Sequence, residues 1–174
     1  MLRTRTDENL MAEVANGNLD MLKILFERHH AHVYNFLYKM SGDKMLSEDL
    51  TQDVFYKVMM YRTSYNKGKF VSWLFTIARN SLKTHFTRNR ENHANLDAIS
   101  YKLTEKGTRN EDYTHLHQAL EKLNVSDREL LVLNRFQEIK YNELAEIIGS
   151  TPGAVKTKVN RALKKLKTLY FENI

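Results

Sequence analysis

Apolar residues recur along most of the chain at the 3.6-residue period of helices that bury one face. The alternation typical of half-buried strands is nearly absent, and a single proline with six glycines agrees with long helices. The pattern predicts helices over residues 7–15, 19–40, 48–61, 70–90, 127–136, 141–148 and 152–170, with helical spacing resuming near residue 113 after a gap. We therefore expect an all-α protein.

Side chains that can cap a helix precede most of these segments. The candidate caps are Thr6, Ser47, Ser126 with Glu129 as a capping box, and Thr151 followed by Pro152. Turn signals mark two of the ends, since Asn16-Gly17 follows the first helix and Ser41-Gly42 the second. Capping and turn residues therefore predict the same helix boundaries that the periodicity predicts.

Between residues 92 and 112 the periodicity fades into a polar, asparagine-rich segment of mixed charge. This composition is typical of a linker. It separates a first predicted domain, residues 1–91, from a second, residues 113–174. We expect two small helical domains joined by a flexible linker.

The join between the last two predicted helices, IIGSTPGAV, has the spacing of a helix-turn-helix. Ala145 is small where the helices cross, Gly149 allows a tight turn, and Val155 anchors the second helix. No acid occurs between Glu146 and Glu172, so the polar face of the last helix is basic. Such a face suits the major groove of DNA, and the C-terminal domain is predicted to be a DNA-binding helix-turn-helix.

A second basic surface is predicted near the middle of the chain, where no acid but eight Lys and Arg occur between Asp53 and Glu91. The helix over residues 70–90 opposes an aromatic-rich face to a basic one. Solvated helices usually mix their charges, so we expect this face to meet an anionic partner. Aromatic rings that stack on unpaired bases, with cations along the backbone, are typical of proteins that bind single strands.

The aromatic residues of this region fall into two groups. The helical phase of Trp73 and Phe75 favours the core over base stacking. Tyr65 and Phe70 stand at the edge of the loop SYNKGKF, where core packing and base stacking are equally open. The sequence thus leaves the base-stacking aromatics undecided.

The composition narrows the function classes further. With 27 Lys and Arg against 21 Asp and Glu, the net charge of +6 favours nucleic acid over a membrane surface as the partner. The absence of cysteine excludes disulfides and thiolate metal sites. No stretch approaches the roughly 20 apolar residues that span a bilayer, and the N-terminus has no apolar signal core, so we expect a soluble, cytoplasmic protein without membrane insertion.

Three alternatives are open from the residues alone. The acidic side of the helix over residues 48–61 docks a protein helix or is simply solvated. The helix-turn-helix belongs, in another interpretation, to a dimeric repressor or activator with a palindromic site. His29, His30 and His32 suggest a metal site, but such sites normally add carboxylates or a further histidine. No Ser-His-Asp arrangement or phosphate-binding glycine loop is visible, so no catalytic residue, metal or cofactor is predicted.

Three motifs in order resemble those of the extracytoplasmic-function (group IV) sigma factors, the two-domain class of bacterial RNA polymerase specificity subunits. SEDLTQDVFYKVM is similar to the family's segment that binds core polymerase, and FVSWLFTIARNSLKTHFTR to the segment that binds and melts the downstream promoter element. LEKLNVSDRELLVLNRFQEIKYNELAEIIGSTPGAVKTKVNRALKKLK is similar to the family's fourth region, whose last helix binds the upstream element. The resemblance covers about residues 6–170. It implies a protein that directs RNA polymerase to promoters and traps the melted non-template strand.

The resemblance also implies three sets of binding residues. Those that face core polymerase are Glu48, Asp49, Gln52, Asp53, Phe55 and Tyr56. Those at the downstream element are Tyr65, Lys67, Lys69, Phe70, Arg79, Asn80, Lys83, Thr84 and Arg88. Those at the upstream duplex are Thr151, Pro152, Gly153, Ala154, Lys156, Thr157, Asn160, Arg161 and Lys164.

The implied partners are core RNA polymerase, through its largest and second-largest subunits, promoter DNA in duplex and single-stranded form, and an anti-sigma factor. The linker is expected to pass toward the RNA exit path, and the further C-terminal domains of some relatives are not expected. Two positions depart from the family pattern. Thr84 replaces the usual aspartate after IARN, and Met59 or Met60 replaces the bulky aromatic residue that ends the docking motif.

Overall fold

The computed structural model describes residues 4–93 and 111–172. All regular secondary structure in these two ranges is helical, which confirms the predicted fold class. The chain forms two compact units, Met1–Ala98 and Ile99–Ile174. Within the described ranges, no helix is long and apolar enough to cross a membrane.

The first unit contains four α-helices and a short 3-10 helix among its described residues. They are α1 (Asp7–Ala15), α2 (Asp20–Ser41), α3 (Lys44–Met60), the 3-10 helix (Arg62–Ser64) and α4 (Phe70–His93). Thr6 caps α1 as predicted, because its side-chain oxygen accepts a hydrogen bond from the Asn9 amide at 3.3 Å. Gly42 ends α2 with a φ of 71°, a conformation that glycine adopts without strain.

The prediction that Ser47 caps α3 is wrong, since this helix begins one turn earlier, at Lys44. Asp43 is the cap, and its carboxylate accepts a hydrogen bond from the Leu46 amide at 3.0 Å. Ser47 is fully buried inside the helix, where its hydroxyl donates to the Asp43 carbonyl at 2.6 Å. The added turn carries Lys44 and Met45, which are exposed, so apolar periodicity did not indicate it.

The core of the first unit lies where α1, α2, α3 and α4 pack together. Phe36 on α2 meets Phe75 on α4 edge to face, with 5.8 Å between the ring centroids. Lys57 on α3 donates a hydrogen bond to Ser81 on α4 at 2.8 Å. The fully buried apolar side chains of this unit include Leu10, Met11, Val14, Leu25, Val33, Phe36, Leu37, Val54, Val58, Phe70, Leu74 and Ala78. This core fixes the directions in which α3 and α4 present their polar faces.

The second unit contains four further α-helices and a π-helical segment among its described residues. They are α5 (Glu111–Lys122), α6 (Val125–Leu131), the π-helical segment (Val132–Phe136), α7 (Tyr141–Ile148) and α8 (Pro152–Phe171). The predicted capping box at Ser126 is wrong, because Asn124 is the cap of α6 and accepts a hydrogen bond from the Asp127 amide at 2.8 Å. Most of the predicted linker over residues 92–112 lies outside the described residues.

The helix-turn-helix is formed by α7 and α8, as the sequence predicts. Gly149 ends α7 with a φ of 68°, and its amide donates to the Ala145 carbonyl. Thr151 caps α8 by accepting a hydrogen bond from the Ala154 amide at 3.3 Å, and Pro152 occupies the first helical position. Ala145 is almost fully buried, which lets the two helices approach closely.

Candidate nucleic-acid and polymerase interfaces

The polar face of α8 is fully presented to solvent. Its apolar residues Val155, Val159, Ala162 and Leu166 are buried against the rest of the unit. All nine residues that the sequence assigns to duplex binding are exposed, and we call them the recognition face: Thr151, Pro152, Gly153, Ala154, Lys156, Thr157, Asn160, Arg161 and Lys164. Hydroxyl, amide, guanidinium and ammonium groups therefore lie together on one side of a helix without an acid among them.

Lys165 shows that not every cation of α8 belongs to the recognition face. Its ammonium group forms an ion pair with the Asp127 carboxylate of α6 at 2.6 Å. The neighbouring Lys164 is exposed and belongs to the recognition face. The two adjacent lysines thus offer a matched comparison between a cation paired with an acid of α6 and a cation of the recognition face.

The first unit presents its own basic surface along α4. Asn80, Lys83, Thr84 and Arg88 are exposed on this helix, and Arg79 is half-buried. Lys67 and Lys69 lie in the exposed loop before the helix. We call these seven residues the basic surface of the first unit. Seven of the nine residues assigned to the downstream element therefore lie where a nucleic acid can reach them.

The other two, Tyr65 and Phe70, are buried, with 7% and 0% of their surface exposed. The ring of Phe70 lies 5.4 Å from the ring of His29 and 6.3 Å from that of Trp73, measured between centroids. In this conformation neither Tyr65 nor Phe70 offers a face on which a base can stack. The assignment of these two residues to DNA contact therefore stays a prediction, which their burial beneath the loop disfavours. Trp73, expected in the core, is only half-buried.

The loop between the 3-10 helix and α4 is held in a strained shape. Lys67 has a φ of 63°, a left-handed conformation that residues other than glycine rarely adopt. The Tyr65 hydroxyl donates a hydrogen bond to the Gly68 carbonyl and closes the loop. Burial raises the pKa of Tyr65 to about 12, with further contributions from the charges of Glu8 and Asp7. This hydroxyl consequently keeps its proton, and its hydrogen bond, at all physiological pH values.

The acidic side of α3 is also exposed, except at one position. Glu48, Asp49, Gln52 and Tyr56 lie on the surface, and Asp53 pairs with Lys57 at 2.7 Å. Phe55, assigned to polymerase docking, is 6% exposed and packs edge to face against Phe26 of α2 at 4.9 Å between centroids. Both rings form part of a groove between α2 and α3 with a volume of about 370 Å³. The groove is lined by Leu19, Leu22, Lys23, Phe26, Phe55, Tyr56 and Met59.

Two residues of α1 that sequence reasoning missed contact the start of α4 and the middle of α2. The Glu8 carboxylate accepts a hydrogen bond from the amide of Phe70, the first residue of α4, at 3.2 Å. Burial alone would raise the pKa of Asp7, but hydrogen bonds from His29 and Arg28, both at 2.7 Å, outweigh it and lower this pKa. The only signal in the sequence was the lack of any acid in the first turn of α4.

Two of the three histidines considered as a metal site have contacts of another kind. His29 contacts Asp7, and the His30 ring contacts the Phe26 carbonyl at 2.8 Å through Nδ1. Within the part of the chain that the structure describes, no group of three or more His, Asp or Glu side chains is arranged to hold a metal ion.

Comparison with known proteins assigns both units. Residues 25–92 match Sigma-70 region 2, and residues 114–166 match Sigma-70, region 4. The chain is 30% identical over 171 residues to RNA polymerase sigma factor CarQ of Myxococcus xanthus. That alignment covers 93% of this chain and 96% of CarQ.

Two solved structures share the fold. One is CnrH in complex with the cytosolic domain of CnrY, with a TM-score of 0.76, 22% identity, and coverage of 97% of this chain and 99% of that chain. The other is the sigma factor RpoE in complex with the anti-sigma factor NepR from Bartonella quintana, with a TM-score of 0.71, 24% identity, and coverage of 84% and 94%. The two motif-bearing units, in this order, and the similarity to CarQ over nearly the whole chain lead to one assignment: the protein belongs to the extracytoplasmic-function family of RNA polymerase sigma factors.

Proposed function

We propose that this sigma factor brings core RNA polymerase to promoters by binding two DNA elements with two separate surfaces. The recognition face of α8 binds the upstream element as duplex, and the basic surface of the first unit holds the non-template strand of the downstream element. The observation that carries the proposal is the presence of two acid-free basic surfaces on two compact units. A dimeric repressor or activator would use the helix-turn-helix alone and would leave the basic surface of the first unit without a role.

At the upstream element, α8 supplies two kinds of contact. Asn160 and Arg161 carry the amide and guanidinium groups that pair with adenine and guanine edges in the major groove. Lys156 and Lys164 carry point charges suited to phosphates, which position a helix on the duplex without reading its sequence. Because several cations take part, affinity is expected to fall steeply as the salt concentration rises.

At the downstream element, binding energy drives strand opening. Each base captured by stacking contributes about 1–3 kcal/mol, comparable with the few kcal/mol needed to unstack it. Because the captured base exists only in the open state, this contact shifts the equilibrium toward opening and needs no ATP. With Tyr65 and Phe70 buried, the surface left for a base consists of loop residues 66–69 and the half-exposed ring of Trp73.

The α3 surface and the adjoining groove are proposed to dock on the largest subunit of core polymerase. The exposed acids Glu48 and Asp49 would face basic groups of the subunit, and the apolar groove would be buried in the interface. Phe55 contributes to the floor of the groove rather than to the exposed rim. We further propose that an anti-sigma factor binds this chain, as NepR binds RpoE, and that the protein acts in the cytoplasm without catalysis of its own.

Run-off transcription tests the proposed function directly. Purified chain is combined with sigma-free core polymerase and fragmented genomic DNA from the source bacterium. We expect discrete transcripts that neither the chain nor core polymerase produces alone, and their start sites give the two promoter elements. Absence of transcripts, together with binding of the chain to duplex sites as a dimer without polymerase, would replace this proposal with the repressor.

The strained Lys67 leads to an expectation with opposite signs for stability and binding. Lys67→Gly removes a left-handed strain that costs the folded state about 1–2 kcal/mol. Glycine also raises the conformational entropy of the unfolded chain, which favours unfolding by about 0.4–1 kcal/mol. We therefore expect an unfolding free energy that is unchanged or raised by about 1 kcal/mol. Single-strand affinity should nevertheless fall, and the slope of log affinity against log salt concentration should decrease by about 0.7.

Glu138→Gly is the matched control for this variant. Glu138 also has a positive φ, of 56°, but it lies in the second unit and carries no positive charge. Denaturant unfolding measures the free energy of unfolding. Titrations of the polymerase-bound chain with a single-stranded oligonucleotide at several salt concentrations measure the affinity and its salt slope. An unchanged salt slope in Lys67→Gly would remove Lys67 from the strand-binding surface.

A further inference from the structure

The start of α4 is capped by a residue from a distant part of the chain. Phe70 provides the first amide of the helix, and this amide donates to the Glu8 carboxylate of α1 across 62 positions of sequence. The first turn of α4 contains no acid of its own. Glu8 therefore supplies both the hydrogen-bond acceptor and the negative charge that a helix N-terminus favours.

This arrangement solves an electrostatic conflict at the DNA-facing loop. A local acid at the start of α4 would stand beside Lys67 and Lys69 and would repel a phosphate backbone. Residues 54–90 contain no acid at all. By reaching the helix from α1, Glu8 satisfies the helix end without an acidic residue in the loop or in the first turn of α4.

The position of Glu8 is itself fixed through its neighbour. Asp7 forms an ion pair with Arg28 and a hydrogen bond with His29, both on α2 and each at 2.7 Å. His29 in turn packs its ring against Phe70. The first turn of α1, the middle of α2 and the start of α4 are thereby joined beneath the loop.

We infer that Glu8 is a positioning residue for base selection: it fixes the start of α4 and thus the shape of the loop over residues 65–69 that receives the unpaired base. The inference rests on the proposed role of this loop in holding the non-template strand. It extends the functional surface to α1, which lies before residues 25–92 that match Sigma-70 region 2. Loss of Glu8 also leaves a helix N-terminus without its anion, so backbone phosphates gain a sequence-independent site in its place.

The test measures base preference separately from affinity. Core polymerase carrying the full-length wild-type chain is incubated with a pool of randomised single-stranded DNA, and the bound strands are sequenced to identify the preferred bases. The ratio of affinities for the preferred strand and for a strand with one base changed is then measured for Glu8→Ala, Glu8→Gln and Glu13→Ala. Glu13 is the matched control because it lies on the same helix but pairs with Arg5 rather than with the start of α4.

We expect the affinity ratio to fall about tenfold in Glu8→Ala, since a charge-assisted hydrogen bond that fixes the loop is lost. Affinity for the changed strand should not decrease, and Glu8→Gln, whose amide oxygen still accepts a hydrogen bond, should retain most of the preference. Glu13→Ala should match the wild type. Circular dichroism at the assay temperature establishes that each variant is folded, and a purely structural role of Glu8 would then leave the ratio unchanged.

Two results overturn this inference while leaving the proposed function in place. One is an unaltered affinity ratio in folded Glu8→Ala, and the other is an equal loss of preference in Glu13→Ala. If the wild-type complex enriches no sequence from the pool, the strand-binding role of the loop fails, and the inference about Glu8 fails with it.

Discussion

Simultaneous replacement of Asn160 and Arg161 by alanine is expected to abolish promoter-specific transcription while leaving the protein folded. A side-chain contact to a base edge in the major groove contributes about 1–3 kcal/mol of discrimination, so the loss of two costs about 2–6 kcal/mol. At about 1.4 kcal/mol per factor of ten, upstream-element affinity falls roughly thirtyfold or more. Both residues are exposed and alanine is a better helix former than asparagine, so α8 remains intact.

Lys165→Ala is the control for this double variant. It removes a cation from the same helix, but that cation is paired with Asp127 of α6 and is not part of the recognition face. Exposed ion pairs contribute about 0–1 kcal/mol, so this variant is expected to match the wild type closely in stability, in affinity for the upstream duplex and in the transcription it supports. Band-shift titration on the upstream duplex measures the affinity, and run-off transcription measures the transcript yield. Equal losses from Lys165→Ala and from the double variant would mean that α8 binds through overall charge rather than through its recognition face.

The recognition face shows how far periodicity predicts which residues of a helix are exposed. Val155, Val159 and Ala162 set the helical phase of α8, and the acid-free polar residues between them are exposed as predicted. The prediction succeeds because α8 buries a single stripe against its own unit. When one face of a helix is buried and the other is not, the sequence contains all the information needed to separate them.

The loop before α4 shows where the same reasoning ends. An aromatic residue beside cations has the same sequence signal whether it stacks on a base or supports the loop from below. The packing of Tyr65 and Phe70 depends on α1 and α2, which are distant in sequence, and this tertiary context decides in favour of burial. The Glu8 contact was hidden for the same reason, since no local pattern connects residues 62 positions apart. Local caps are similarly ambiguous, because Ser47 and Asp43 are both good cap residues and only the packed helix selects one.

Phe70→Ala is expected to destabilise the first unit by about 3–5 kcal/mol, the usual cost of deleting a buried phenylalanine ring. The Phe70 side chain is fully buried among Tyr65, Trp73 and His29, so its removal leaves a cavity directly beneath the loop. A loss of this size is a large part of the about 5–15 kcal/mol that stabilises a typical domain. Trp73 is the only tryptophan in the chain, and its fluorescence during denaturant unfolding reports on this unit alone.

Two further substitutions separate support of the loop from contact with DNA. Phe70→Leu keeps most of the apolar volume and should lower the unfolding free energy less than Phe70→Ala does. Its affinity for the preferred single strand should be largely retained. Phe86→Ala removes an aromatic ring from the same helix at a position that is 44% exposed, and it should change the unfolding free energy by no more than about 0.5 kcal/mol. If Phe70→Leu instead proved fully stable but lost single-strand binding, the ring of Phe70 would have to leave the core and stack on a base. The buried position described here would then be the closed state of a movable side chain.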